Sequence, residues 1–267
     1  MKTQFDKIYV ITLISNKDRQ EFIKYQMNEL GLDFEFIYGT DFYNLTHDRY
    51  GNNINYPNLI FECPHLDNIK MYGCTLSHYQ AILQSYEFGY NNVLIIEDDM
   101  CFNKDLNLVE YYLNNIPADI DFITYTARFI NIEEINQFNK ILRGNKKVNN
   151  KFINLENLNG LCGTGMYGIV NRETMKLYLD NQRAKLSCAD HINGIFKKPI
   201  INRCTTLYAI CTDQFNLQKQ NNLNQNDYEW GIFCYQQFNI IKSFNNFYTP
   251  QIYHYSNINT VLENFIK

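Results

Sequence analysis

The sequence predicts an α/β protein built around a mostly parallel sheet, and three observations point that way. Val93-Leu94-Ile95-Ile96 is a run of four β-favouring apolar residues, the pattern of a strand buried on both faces. It runs directly into Glu97-Asp98-Asp99, which places three carboxylates at the strand's carboxyl end, where open α/β sheets hold their ligands. Near the start of the chain, strand-like and helix-like patterns alternate as in a βαβ unit.

That unit begins with Ile8-Tyr9-Val10-Ile11-Thr12-Leu13, a strand almost at the N-terminus. Ser15-Asn16-Lys17-Asp18 supplies turn and N-cap residues for a helix reaching about Leu30, with Phe22, Ile23, Met27 and Leu30 on one side and Gly31 as the stop signal. Phe34-Glu35-Phe36-Ile37-Tyr38 is the second strand. No glycine-rich phosphate loop joins the first strand to its helix, which argues against a dinucleotide fold and a P-loop. Residues 40–71 are polar and weakly periodic, and read as a loop region. Gly73-Cys74-Thr75-Leu76-Ser77-His78 leads into a helix whose apolar face carries Leu76, Tyr79, Ile82, Leu83 and Tyr86, and which Gly89 ends. The length of that helix leaves open whether Ser77-His78 lies near the acids.

Further along, a helix from about Leu106 to Asn115 precedes a strand at Asp121–Tyr125. Residues 131–159 are polar and read as an insertion or flap. Gly163, Gly165 and Gly168 punctuate the next apolar run. They permit close backbone approach to a ligand or mark a bend in a strand. A short helix with Met175, Leu177, Tyr178 and Leu179 follows. Asp190-His191 then sits at the start of a further helix, either as an N-cap with an exposed imidazole or as an acid–base pair. The last predicted strand is Thr205–Ile210. Residues 1–215 form one expected domain, with 216–267 an extension packed on it or completing it.

Composition narrows the function. The 267 residues carry a net charge of −4, with none of the basic excess that nucleic-acid binding needs, and strong attraction to anionic membranes is not expected. No stretch is long and apolar enough to span a bilayer, and the first residues do not read as a secretory signal. The eight cysteines form no C-x-x-C pair and no Cys/His cluster at zinc spacing. They read as reduced thiols, and the expectation is a cytoplasmic protein with at most peripheral membrane contact.

Three adjacent acids repel one another unless positive charge sits among them. A divalent metal carrying a phosphate meets that need, and a solvated acidic turn is the alternative. A nucleotidyltransferase, a metal-dependent phosphohydrolase and a non-catalytic glycan-binding protein all remain compatible with such a cluster.

The ordered motifs resemble glycosyltransferase family 25, which includes lipooligosaccharide galactosyltransferases and collagen galactosyltransferase domains. The resemblance covers roughly residues 7–215. Ile11-Thr12-Leu13 with Asp18-Arg19 matches the opening strand and its later arginine. Gly73-Cys74, Leu76, Ser77 and His78 match a Gly-Cys-x-Leu-Ser-His segment, and Glu97-Asp98-Asp99 matches the acidic strand end. Gly163, Thr164 and Tyr167 match a Gly-Thr-x-x-Tyr segment, and Asp190 remains of a later Pro-x-Asp motif. Thr12 stands where the family usually has Asn, and Phe42 where it usually has Gly.

The resemblance implies a GT-A-like fold, a single nucleotide-sugar-binding domain with a mixed, mostly parallel sheet and helices on both faces. It also implies a UDP-galactose or UDP-glucose donor and a glycan or protein-linked acceptor. Glu97, Asp98 and Asp99 would hold Mn²⁺ or Mg²⁺. Thr12, Arg19, Ser77, His78, Gly163 and Thr164 would contact the donor. Asp190, with His191 as a lesser candidate, would be the general base of an inverting transfer.

Overall fold

The computed structural model describes residues 1–41, 69–126, 128–129, 147–148, 152–155, 161–162, 164–184, 187–189, 196, 202–206 and 211–213. The predicted extension at 216–267 lies outside them, as does most of the 131–159 segment.

Among the described residues, sixteen elements run in the order β1 (Lys7–Thr12), α1 (Lys17–Glu29), β2 (Glu35–Tyr38), α2 (Ile69–Glu87), β3 (Val93–Glu97), β4 (Met100–Phe102), α3 (Leu106–Asn114), β5 (Phe122–Thr124), β6 (Arg128–Phe129), β7 (Lys147–Val148), β8 (Phe152–Asn154), β9 (Leu161–Cys162), β10 (Met166–Ile169), α4 (Arg172–Ala184), β11 (Arg203–Thr206) and β12 (Cys211–Asp213). Eight strands form the main sheet in the order β2-β1-β3-β10-β5-β11-β8-β7. β1 pairs in parallel with β2 and β3, and β11 pairs in parallel with β5. β10 runs antiparallel between β3 and β5, and β8 runs antiparallel to β11 and β7. Six of the eight strands therefore point one way, and the sheet is the mixed, mostly parallel one expected. β4 pairs with β12, and β6 with β9, in two small antiparallel ribbons.

Period-two alternation distributes the core. Tyr9, Ile11, Val93, Ile95, Tyr167 and Ile169 face one layer, where α2 contributes Ala81 and Ile82 and α4 contributes Met175, Tyr178 and Leu179. Ile8, Val10, Leu94, Ile96 and Met166 face the other, where α1 contributes Ile23 and Met27 and α3 contributes Val109, Tyr112 and Leu113. Both faces of β3 are thus covered by helices. Its four apolar residues are fully buried, which is why its sequence is an unbroken apolar run.

The structure revises several sequence readings. Helix α2 starts at Ile69, so Gly73 lies inside the helix rather than before it, and residues 69–71 are helical rather than loop. Within the segment read as an insertion, β7 and β8 extend the main sheet. Of the strand expected at 205–210, Thr205 and Thr206 belong to β11, which starts earlier at Arg203, and 207–210 lie outside the described residues. Gly168 is neither a bulge nor a ligand contact. A Cβ there would lie 2.5 Å from Phe5 Cζ and 2.9 Å from Ile123 Cγ2, so the missing side chain makes room for the Phe5 ring.

Candidate active site at the carboxyl ends of β1 and β3

Parallel pairing sets Ile11 against Glu97, which brings the carboxyl ends of β1 and β3 side by side. The Asp98 N–H donates to Ile11 O at 3.0 Å, locking the turn after β3 against the end of β1. At this edge lies a cavity of about 270 Å³. Thr12, Asn16 and Arg19 line it from β1 and α1, Cys74, Ser77 and His78 from α2, and all three acids from the end of β3, with Thr40 and Asp41 beyond β2. Seven of the residues singled out in the sequence therefore share one cavity.

The three acids have different environments. Asp98 is only 5% exposed and accepts three hydrogen bonds. Thr12 Oγ1 donates to Oδ2 at 2.6 Å and Asn16 Nδ2 to the same oxygen at 3.2 Å, while an Arg19 guanidinium nitrogen donates to Oδ1 at 3.1 Å. The same nitrogen lies 3.7 Å from Asp99 Oδ2. Arg19 is thus positive charge placed among the acids by the chain itself. Because its guanidinium can face both Asp98 and Asp99, it relieves repulsion that would otherwise disfavour the turn. Thr12, the departure from Asn, keeps a hydrogen-bond donor at this position and spends it on Asp98.

Glu97 is held from three directions. Its N–H donates to Gly165 O at 2.7 Å. His78 Nε2 lies 3.1 Å from Oε1, and the Thr164 hydroxyl donates to that oxygen at 3.5 Å. The buried His78 ring is fixed at its other nitrogen, where Nδ1 lies 3.0 Å from the Tyr167 hydroxyl. Burial pushes the Tyr167 phenol well above its ordinary range, so this hydroxyl stays protonated at every working pH. The proximity of helix and acids, left open by the sequence, is therefore settled: α2 crosses so that His78 reaches Glu97.

Ser77 has a supporting part. Its hydroxyl donates to Gly73 O at 2.6 Å and accepts from Thr40 N–H at 3.1 Å, tying the chain after β2 to α2. Gly39 permits that approach, since a Cβ there would lie 2.4 Å from Ser77 Oγ. Gly163, Asp190 and His191 lie outside the described residues. Ala189, next to Asp190 in the chain, is buried and its N–H donates to Thr75 Oγ1 on α2 at 3.1 Å.

Asn16 and Cys74 complete the site without having been singled out for it. Asn16 has the residue type and position of an N-cap, yet it makes no side-chain cap bond and turns instead to Asp98. Cys74 stands in the same segment as Ser77 and His78, four residues before the histidine, a helical spacing that puts the two on one face.

The residues present fit a hard divalent cation in part. Asp98 is committed to three donors, whereas Glu97 and Asp99 line the cavity with side chains 29% and 22% exposed. Two carboxylates opening onto a cavity are a suitable oxygen-donor set for Mg²⁺ or Mn²⁺, which take their remaining ligands from phosphate and water.

Comparison with known proteins agrees with the motif order. No curated protein matches the chain. Among solved structures it is similar to a glycosyltransferase involved in the glycosylation of the major capsid of PBCV-1. That similarity is at 11% identity and a TM-score of 0.33, over 66% of this chain and 65% of that one. The chain thus spans just under two thirds of that neighbour's length. Residues 5–192 match the sequence family described as glycosyltransferase family 25 (LPS biosynthesis protein), and that match takes in β1 through α4 and every described residue of the cavity. The chain belongs to glycosyltransferase family 25.

Proposed function

We propose that this chain is a hexosyltransferase. It moves galactose or glucose from a UDP-sugar to a hydroxyl of a lipooligosaccharide-like or protein-linked glycan, with inversion and with Mn²⁺ or Mg²⁺, in the cytoplasm and at most peripherally at a membrane. The observation that carries the reading is the cavity at the ends of β1 and β3, where Glu97 and Asp99 open beside the Arg19 guanidinium.

Glu97 and Asp99 are the residues that would hold the cation. When bound, it supplies electrostatic stabilisation to the departing diphosphate. Asp98 orients Arg19 by accepting its N–H, which holds the guanidinium at the cavity where a phosphate oxygen would lie. His78, braced by Tyr167, fixes the Glu97 carboxylate. Inversion requires a base that takes the acceptor hydroxyl's proton on the face opposite the diphosphate. Asp190 is assigned that role and His191 is the lesser candidate. The match of Asp190 to the family's later Pro-x-Asp motif supports the assignment.

The test is a thermal-shift screen of nucleotide sugars with and without Mn²⁺, followed by mass spectrometry of the products. A stabilisation specific to UDP-sugars, dependent on metal and lost in Asp99→Asn, is expected. Asp190→Asn should bind UDP and fail to transfer. A chain that ignores UDP-sugars in the presence of Mn²⁺, or that releases phosphate from simple esters without an acceptor, would overturn the reading.

A further inference from the structure

Cys74 and His78 lie four residues apart on α2, so both project from one side of the helix. Glu97 ends the strand that this side faces. The Cys74 sulfur, a His78 ring nitrogen and a Glu97 carboxylate oxygen all lie within 4.8 Å of one another. Cys74 and Glu97 are partly exposed to the cavity, and His78 is buried behind them.

We propose that Cys74, His78 and Glu97 form a binding site for a d-block divalent cation of the Zn²⁺ class. One sulfur, one imidazole nitrogen and one carboxylate oxygen make a three-ligand set that leaves a fourth tetrahedral position open to the cavity. A thiolate selects Zn²⁺-like ions against Mg²⁺ and Mn²⁺, which prefer oxygen. This set therefore differs in kind from the Glu97 and Asp99 pair.

The surroundings of His78 match those of a metal-binding imidazole. Such a ring gives its second N–H to an outer acceptor that fixes its tautomer. Here Nε2 faces Glu97, and Nδ1 lies 3.0 Å from the Tyr167 hydroxyl. A neutral ring carrying its proton on Nε2 would donate it to the carboxylate and accept the Tyr167 hydroxyl at Nδ1. With an ion bound, Nε2 and the carboxylate turn their lone pairs to it, the ring proton resides on Nδ1, and the Tyr167 oxygen accepts it. Binding through the Cys74 sulfur releases the thiol proton to solvent. One proton leaves per ion bound, and no electron is transferred.

The inference rests on these three side chains and not on the transferase reading. Because Glu97 belongs to both ligand sets, a Zn²⁺-class ion and Mn²⁺ compete for it.

The experiment is Co²⁺ titration of the full chain, followed by absorbance and then by displacement with Zn²⁺. One equivalent should give the visible bands of tetrahedral Co²⁺ together with a sulfur-to-cobalt charge-transfer band. Cys74→Ser should abolish the charge-transfer band, whereas Asp99→Asn should retain it. Tyr167→Phe should weaken binding by roughly 10- to 100-fold, the range for loss of an outer partner. In the wild-type chain Zn²⁺ should protect Cys74 from iodoacetamide, mapped by peptide mass spectrometry, a measurement that needs no variant to fold. Absence of a thiolate band, a band that survives Cys74→Ser, or undiminished alkylation of Cys74 with Zn²⁺ present overturns the proposal. None of these results depends on UDP-sugar binding, so the two readings fail separately.

Discussion

Asp98 accepts hydrogen bonds from Thr12, Asn16 and Arg19, and the balance among them is open to measurement. The perturbation is a pair of double-mutant cycles, Thr12→Val with Asp98→Ala and Arg19→Ala with Asp98→Ala. A hydrogen bond to a charged acceptor contributes about 1.5–3 kcal/mol when both partners are shielded from water. Thr12 and Asp98 are 3% and 5% exposed, and the bond between them is short at 2.6 Å, so their coupling should be about 2 kcal/mol. Arg19 carries a full charge, but its side chain is 46% exposed and solvent screens it, so its coupling to Asp98 should stay below about 1 kcal/mol. Urea unfolding of the wild type, the three single variants and the two doubles yields both numbers, provided the urea slope stays constant. An Arg19 coupling larger than the Thr12 coupling would refute the reasoning. It would mean that the ion pair rather than the buried hydroxyl holds the turn after β3.

Other outcomes follow from the core. Gly168→Ala should cost about 1–3 kcal/mol by overpacking against Phe5, and Phe5→Leu should recover part of it; additive costs in the double variant would contradict the contact. Gln26 is fully buried, donating to Met100 O at 2.9 Å and accepting from Phe102 N at 2.8 Å. Gln26→Leu should therefore cost about 2–4 kcal/mol in thermal or urea unfolding, and a neutral result would show that β4 does not depend on it. Stability should also fall in alkali. Burial raises Tyr125 and Tyr167 well above 10.0 and Cys204 well above 9.0, so the unfolded chain ionises first and binds fewer protons than the native one. Each such group contributes fully below its unfolded value. Above it, stability drops by about 1.4 kcal/mol per pH unit until the native value is reached. A urea midpoint unchanged between pH 8 and 11 would rule this out, and Tyr125→Phe should make the decline shallower.

The sheet's centre and the acid cluster were legible because local pattern and burial agree there. Val93 to Ile96 are apolar without a break because helices cover both faces, and the acids stand where that cover ends. The contact between His78 and Glu97 was hidden, since it depends on how α2 crosses the sheet, which no local periodicity encodes. Asn16 was read as a cap because its type and position fit that local rule, whereas its Nδ2 donates to the Asp98 carboxylate, a partner far away in sequence. The glycines at 165 and 168 suggested a bend. Their role is instead to admit Met100 and Phe5, residues distant in sequence that nothing nearby announces. Strands of two or three residues such as β7 and β8 carry too few side chains to show alternation at all.

The antiparallel position of β10 has a consequence for how the chain is made. β3 and β5 are not neighbours; each meets the other only through β10, which emerges from the ribosome long after both. Until it does, the strand that delivers the acids has an open edge, and the wholly apolar stretch from Val93 to Ile96 is available to any other strand. Chains terminated before Met166 should consequently aggregate rather than persist as a half-domain. The candidate site is complete only with the strand that closes the sheet.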